Sequence, residues 1–237
     1  MKLLLILLLS MNLLSAFELT RKYDATVGLY GNVGQGILKE VHKNSDYSIK
    51  FTAKPTSLIS DLSGINSIEY KSIGSIDTNG IFIPKSFVAI IVEDDKKERT
   101  SYIFHHLQKY ITKNVHTEEK VESVASLIFD GIEKKHTKIT DKTEKIKYVS
   151  DDYLTLIKNV NYLKKGDINY LDQNSTDSLS LLSAEKNLFK IKIDTKDSKY
   201  LLELQNDIYG LTKAKTLKSL EMGNADLKTI KMKVSFK

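Results

Sequence analysis

The stretch Tyr47-Ser48-Ile49-Lys50-Phe51-Thr52-Ala53-Lys54 puts an apolar side chain at every odd position and a polar one at every even position. Successive side chains of an extended chain point to opposite faces, so this alternation specifies a strand with one face buried and the other in water. The same two-residue period recurs along the chain. Tyr23, Ala25, Val27 and Leu29 carry it near the start, and Phe189, Ile191 and Ile193 far downstream. Ile230, Met232, Val234 and Phe236 carry it almost to the last residue, which predicts a terminal strand paired into a sheet.

Turn chemistry punctuates the strands. Gly31-Asn32-Val33-Gly34, Asn44-Ser45-Asp46, Thr78-Asn79-Gly80, Asp94-Asp95-Lys96-Lys97 and Asp194 to Ser198 read as links of an antiparallel meander. Gly74, inside a strand, predicts a bulge. Three segments leave the two-residue period. Tyr153, Leu156, Ile157, Val160 and Leu163 have helical spacing behind Ser150-Asp151-Asp152, which supplies an N-cap. Val121, Val124, Ala125 and Ile128 fit a second helix or a buried strand, and Thr56 to Leu62 a single helical turn.

About nine antiparallel strands with one or two helices cannot hide their apolar face under helices alone. The expected fold is therefore mainly β: a curved antiparallel sheet wrapping into a barrel or half-barrel, with one or two flanking helices. The 237 residues carry no internal repeat or linker, and at 41% hydrophobic and 28% charged they have a core to bury. One domain is expected over 17–237. The absence of cysteine excludes disulfides, thiolate catalysis and cysteine-ligated metals, so packing alone must hold the fold.

Residues 1–16 read as a signal peptide: Lys2, an apolar run from Leu3 to Leu9, and Ser15-Ala16 ahead of Phe17-Glu18. The run is interrupted by Asn12 and falls short of the ~20 residues that span a bilayer. A periplasmic location follows, with no transmembrane segment in the mature chain. Loss of Lys2 lowers the formal charge from +6 to +5. With Arg21 and Arg99 the only arginines among 36 basic residues, bidentate phosphate readout is disfavoured and no nucleic acid partner is expected. Peripheral contact with anionic headgroups is the more reasonable consequence of this charge.

No catalytic or metal-ligating constellation emerges, and the chain is not expected to be an enzyme or to carry a cofactor. His105 and His106 are adjacent and point to opposite faces of a strand, and the other histidines, His42, His116 and His136, lie far apart in sequence. Asp151-Asp152 reads as the start of a helix, Asp94-Asp95 as a hairpin turn, and Glu118-Glu119 as the lead-in to a helical pattern. Gly31, Gly34 and Gly36 lack the lysine and following helix of a phosphate loop. Asn174, in Asp172-Gln173-Asn174-Ser175-Thr176, satisfies the Asn-x-Ser/Thr glycosylation pattern, with an acidic residue two places earlier.

Several of these segments together resemble the domain of unknown function 3108 family of exported proteobacterial envelope proteins. The likeness rests on Tyr23-Asp24-Ala25-Thr26-Val27-Gly28, the glycines up to Gly36, and Tyr47-Ser48-Ile49-Lys50-Phe51. It continues in Ser72-Ile73-Gly74 through Gly80 and Pro84 to Phe87, and in Asp151-Asp152-Tyr153-Leu154-Thr155-Leu156. Between Val88 and Val149, and after Asn174, it is one of rhythm only. The resemblance implies a periplasmic, largely β fold with no established activity.

Taken together, the residues predict a periplasmic binding or carrier protein for an apolar ligand such as a lipid or acyl chain. Tyr47, Ile49, Phe51, Phe189, Ile191, Ile193, Met232 and Val234 would line its inner face. The alternative is a non-enzymatic envelope scaffold that binds a protein partner and has a filled interior.

Overall fold

The computed structural model describes residues 17–27, 31–122, 135–159, 162, 167–171, 176–184, 188–194, 198–209, 212–224 and 232–236, with side chains over 18–26, 31–121, 136–159 and 162. Among the described residues, fourteen strands form one antiparallel sheet. The first eight are β1 (Phe17–Val27), β2 (Gly31–Lys43), β3 (Asp46–Pro55), β4 (Ile65–Ile76), β5 (Phe82–Glu93), β6 (Lys96–His105), β7 (Tyr110–Glu122) and β8 (Lys135–Lys147). The last six are β9 (Asp167–Leu171), β10 (Thr176–Ala184), β11 (Leu188–Asp194), β12 (Ser198–Tyr209), β13 (Thr212–Asn224) and β14 (Met232–Phe236). Among the described residues two short helices interrupt the order, α1 (Ser57–Ser63) and α2 (Tyr153–Asn159).

Each strand pairs with its neighbour in sequence, except β8 with β9, and one pairing joins strands far apart in the chain. β14 pairs with β1, setting Val234 opposite Ala25 and Met232 opposite Val27, so the expected terminal strand is paired into the sheet. Between β8 and β9, the two ends of the strand order, no pairing is present among the described residues. The sheet is open there, and α2 lies in the chain segment that links its two edges.

The contacts of α2 show that the sheet is bent. The helix touches β4 and β5 on one side and β13 and β9 on the other. In the strand order β9 lies nine places from β4, about 43 Å across a flat sheet at ~4.8 Å per strand. A helix about 10 Å wide reaches both only if the sheet wraps around it.

The local sequence accounts for most of these elements. Asn44 takes φ 57° in the β2–β3 turn and Gly80 φ 84° in the β4–β5 turn, as Asn-Ser and Asn-Gly turn chemistry requires. Gly64, at φ 71°, ends α1 in the left-handed conformation that glycine adopts without cost. Gly74 lies at a shift in the β4–β5 register, the expected bulge.

The glycine turn and the strand count need correction. Gly31 to Gly34 are paired with β1 at the start of β2, with Gly31 at φ 67° and the Gly34 N–H donating to Asn32 Oδ1 at 2.9 Å. Gly36 is there because the Phe51 ring lies over it, and a Cβ would sit 2.8 Å from two ring carbons. Glu118, Glu119 and Val121 lie in β7, and Val124, Ala125 and Ile128, expected in a helix or a buried strand, lie outside the described residues. Fourteen strands replace about nine, because the lysine-rich β8 and the serine-rich β10 show little apolar alternation.

Candidate functional site

The inner face of the bent sheet meets α2, and the helix is fixed there by polar bonds as well as by packing. Asp152 caps it: Oδ1 accepts the backbone N–H groups of Leu154 and Thr155 at 2.8 and 2.9 Å, while the Asp152 N–H donates to Thr155 Oγ1 at 2.9 Å. This reciprocal arrangement satisfies donors that the first turn leaves free. The other carboxylate oxygen reaches the sheet, where Ser72 Oγ donates to Asp152 Oδ2 at 2.6 Å and Tyr47 Oη lies 3.1 Å from Ser72 Oγ. Complete burial raises the Asp152 carboxyl to about 6, against the pull of these hydrogen bonds, and the neighbouring Asp151 adds to the rise.

The other end of the helix carries two further latches. Lys158 Nζ donates to Glu40 Oε2 on β2, and His42 Nε2 lies 2.7 Å from Glu40 Oε1. The Lys158 and Glu40 side chains are only 3% and 0% exposed, so this is an ion pair out of water. Burial alone would raise the Glu40 carboxyl, but the His42 hydrogen bond and the Lys158 charge outweigh it and hold Glu40 below its ordinary value. Asn159 pairs with β5 as another strand would. Its Oδ1 accepts from Phe82 N at 2.8 Å, and its Nδ2 donates to Phe82 O at 2.7 Å and to Asp151 Oδ1 at 2.6 Å.

Apolar side chains fill the space among these bonds. Tyr47, Ile49, Phe82, Phe87, Ala89, Tyr102, Phe104, Ile111 and Val149 pack with Leu154 in one buried cluster. Rings in contact cross the sheet from strand to strand: Tyr23 with Phe51, Phe51 with Tyr70, Tyr70 with Phe87, and Phe87 with Tyr102.

The inner face therefore has two zones. Toward the turns at 44–45, 77–81 and 106–109 it is covered by α2. Toward Pro55, Ile65 and Glu93 it continues through Phe51 and Tyr70, and then through Ala53, Ile68 and Ile91, which are aligned across β3, β4 and β5. These five residues are half-buried, whereas Tyr47 and Ile49 are 2% and 1% exposed.

The residues expected to line a ligand site are thus distributed as follows. Tyr47, Ile49 and Phe51 share the inner face of β3, the first two within the core and the third at its margin. Phe189, Ile191 and Ile193 share one face of β11, opposite Leu204, Leu202 and Tyr200 of β12. Met232 and Val234 share one face of β14, opposite Met222 and Leu220 of β13. The side chains of β11 and β14 lie outside the described set, as do Asn174 and residues 1–16.

Sequence reasoning missed Glu40, Ser72 and Lys158, and it saw Asp152 only as a cap. A signal did exist for Glu40. It occupies an inward position between Leu38 and His42, where the alternation calls for an apolar residue.

On the opposite face, a shallow depression is lined by Arg99, Ser101, Asn114, Val115, His116, Asp141, Lys142 and Thr143. His116 is raised above its ordinary value by hydrogen bonding to Asp141 at 2.7 Å, and then to Glu118 at 3.3 Å. Among the described residues no group of three or more His, Asp or Glu side chains is placed to hold a metal ion. His105 bonds Thr112, and His106 bonds Tyr148 and the Pro84 carbonyl. Among the described helices none is long and apolar enough to cross a membrane, which says nothing of crossing by strands. Compared with known proteins, the chain matches no protein-family model, no curated protein and no solved structure.

Proposed function

We propose that this chain is a non-enzymatic binding or carrier protein for a slender apolar ligand, such as a lipid or acyl chain, held inside the bent sheet beyond α2. The observation that carries the reading is a mismatch of lengths. Seven helical residues span about 10 Å, whereas strands of 10 to 13 residues, as β2 to β7 are, span about 33 to 43 Å. The helix therefore fills one end of the interior, its Tyr153 ring against Tyr70, and the half-buried Phe51, Ala53, Ile68 and Ile91 continue the inner face past it. Apolar, partly aromatic walls of this kind suit an alkyl chain.

Export to a periplasm, and membership of the domain of unknown function 3108 family, belong to the same proposal and rest on the N-terminal pattern and the motifs quoted above. The scaffold alternative has one observation in its favour: Tyr47 and Ile49, expected as ligand walls, are buried within the protein's own core.

The chain contains no tryptophan, so Ile68→Trp would place a lone indole in the proposed site. Long-chain fatty acid titrated into this variant should shift the indole emission to the blue and saturate. Native mass spectrometry of the wild-type chain from its own host should show an excess mass that is lost on denaturation. A bare native mass together with an unresponsive indole would refute the carrier and favour the scaffold.

A further inference from the structure

The face turned away from α2 carries an arrangement that sheet stability does not explain. Lys39 on β2 is directly opposite Lys50 on β3, and Lys50 is directly opposite Lys71 on β4. Residues so paired have Cβ atoms about 5 Å apart, and like charges directly opposite one another destabilise a sheet. Glu69 answers one of the three, with Oε2 at 2.8 Å from Lys50 Nζ. Lys39 and Lys71 have no carboxylate within ion-pairing distance among the described residues. Lys22 on β1, diagonal to Lys39, adds a fourth positive charge to the same face, on which Glu18 and Asp24 are the acids of that strand.

The neighbouring rows on the same face are partly aliphatic. Ile37 lies on one side of the lysine row, with Val41 and Ile73 on the other, and all three are between 37% and 39% exposed. The described pocket on this face lies across β6 to β8, away from these lysines. A lysine ammonium is a mobile point charge without the planar fork that reads a single phosphate or carboxylate bidentately. Adjacent ammonium groups with exposed aliphatic side chains between them match a fluid, laterally extended anionic surface, which offers many headgroups and an apolar layer just beneath.

We propose that this outer face, centred on Lys39, Lys50 and Lys71, docks the protein onto membranes bearing anionic phospholipid. The inference is independent of whether the interior holds a ligand.

The test uses the chain as purified from the cells that make it, with sedimentation onto vesicles of phosphatidylcholine containing about a quarter phosphatidylglycerol. The wild type should bind these vesicles, should bind pure phosphatidylcholine far more weakly, and should be released as ionic strength rises from about 0.02 to about 0.2 M. At about 5-fold per lysine, Lys39→Gln/Lys71→Gln should weaken binding about 25-fold. It should also melt no lower than the wild type, since it relieves repulsion within the row. Lys138→Gln/Lys147→Gln removes the same charge from the exposed edge strand β8 and should change binding much less.

Equal loss in the two variants would mean that net charge, and not this face, drives adsorption, and would overturn the proposal. So would equal binding to neutral and anionic vesicles, or no binding to either. Capture of the wild type by polyglutamate but not by the vesicles would assign the face to an acidic polypeptide instead.

Discussion

Replacing Asp152 by Asn should remove a pH dependence of stability whose size and sign the structure sets. The folded state raises this carboxyl from 3.8 to about 6, chiefly by burial, and at 1.36 kcal/mol per pKa unit the shift is worth about 3 kcal/mol. An acid with a raised folded-state value holds its proton more tightly in the native state than in the unfolded one. Its contribution is therefore fully present below about 4 and is lost as the pH rises through about 6. Above that, the native protein carries an ionised carboxylate out of water. Asn cannot ionise, yet its Oδ1 can still accept the Leu154 and Thr155 N–H bonds and its Nδ2 can face Ser72 Oγ. The assay is urea unfolding of both proteins, followed by circular dichroism at several pH values between about 3.5 and 7.5. The stability of Asp152→Asn minus that of the wild type should rise by about 3 kcal/mol across this range, in favour of the variant at neutral pH. Taking the difference removes most of the titration of Asp151 and Glu40, whose surroundings both proteins share. A difference flat to within about 1 kcal/mol, or one falling with pH, would refute the claim that this carboxyl is buried and its burial uncompensated.

Two further expectations follow from the same interior. Lys158→Met should cost about 3 to 5 kcal/mol in urea unfolding, because it strands the Glu40 carboxylate, whereas Glu40→Gln/Lys158→Met should recover at least half of that loss. Gly74→Ala should cost more than about 2 kcal/mol, since its Cβ would run into the Ile83 carbonyl oxygen and lie 2.6 Å from Tyr47 Oη; Gly64→Ala, limited by its positive φ alone, should cost about 1 kcal/mol, and melting curves would rank the two.

The strands with strong alternation were legible because one residue in two faces the core, and Tyr47 to Ala53 and Phe189 to Ile193 fall within strands β3 and β11. The tight turns were legible where backbone conformation restricts the residue, as at Asn44 and Gly80. Gly34 and Gly36 misled for an instructive reason. Glycine serves a turn through its freedom in φ, but it also serves a strand interior when another group must come close, and the sequence does not say which. At Gly34 that group is the Lys54 carbonyl oxygen, 2.8 Å from where a Cβ would lie, and at Gly36 it is the Phe51 ring. The latch on α2 was hidden because its partners are far apart along the chain: 118 residues separate Glu40 from Lys158, and 80 separate Ser72 from Asp152. Nothing local to Lys158 distinguishes it from the other lysines, and it becomes exceptional only when the wrapped sheet closes water out. The row of Lys39, Lys50 and Lys71 was hidden in the same way, since strand register, not sequence proximity, makes those residues neighbours.

The pairing of β14 with β1 shapes the order in which this molecule can assemble. Among the described residues every other strand pairing joins segments adjacent in the chain, so β1 to β8 and β9 to β13 can each form as a local meander. Among the described residues, the ladders that join these two units run through the five residues of β14, which lies between β13 on one side and β1 on the other. Among the described residues, the longest loop closure in the sheet, that between β1 and β14, is therefore left to β14. Until β14 docks, β1 and β13 each present an open edge, and the chain passes through a state with four unpaired edges where the native sheet has two. In a refolding experiment this step should set the slow phase, and a second copy supplying its own β14 would be the natural route to a domain-swapped dimer.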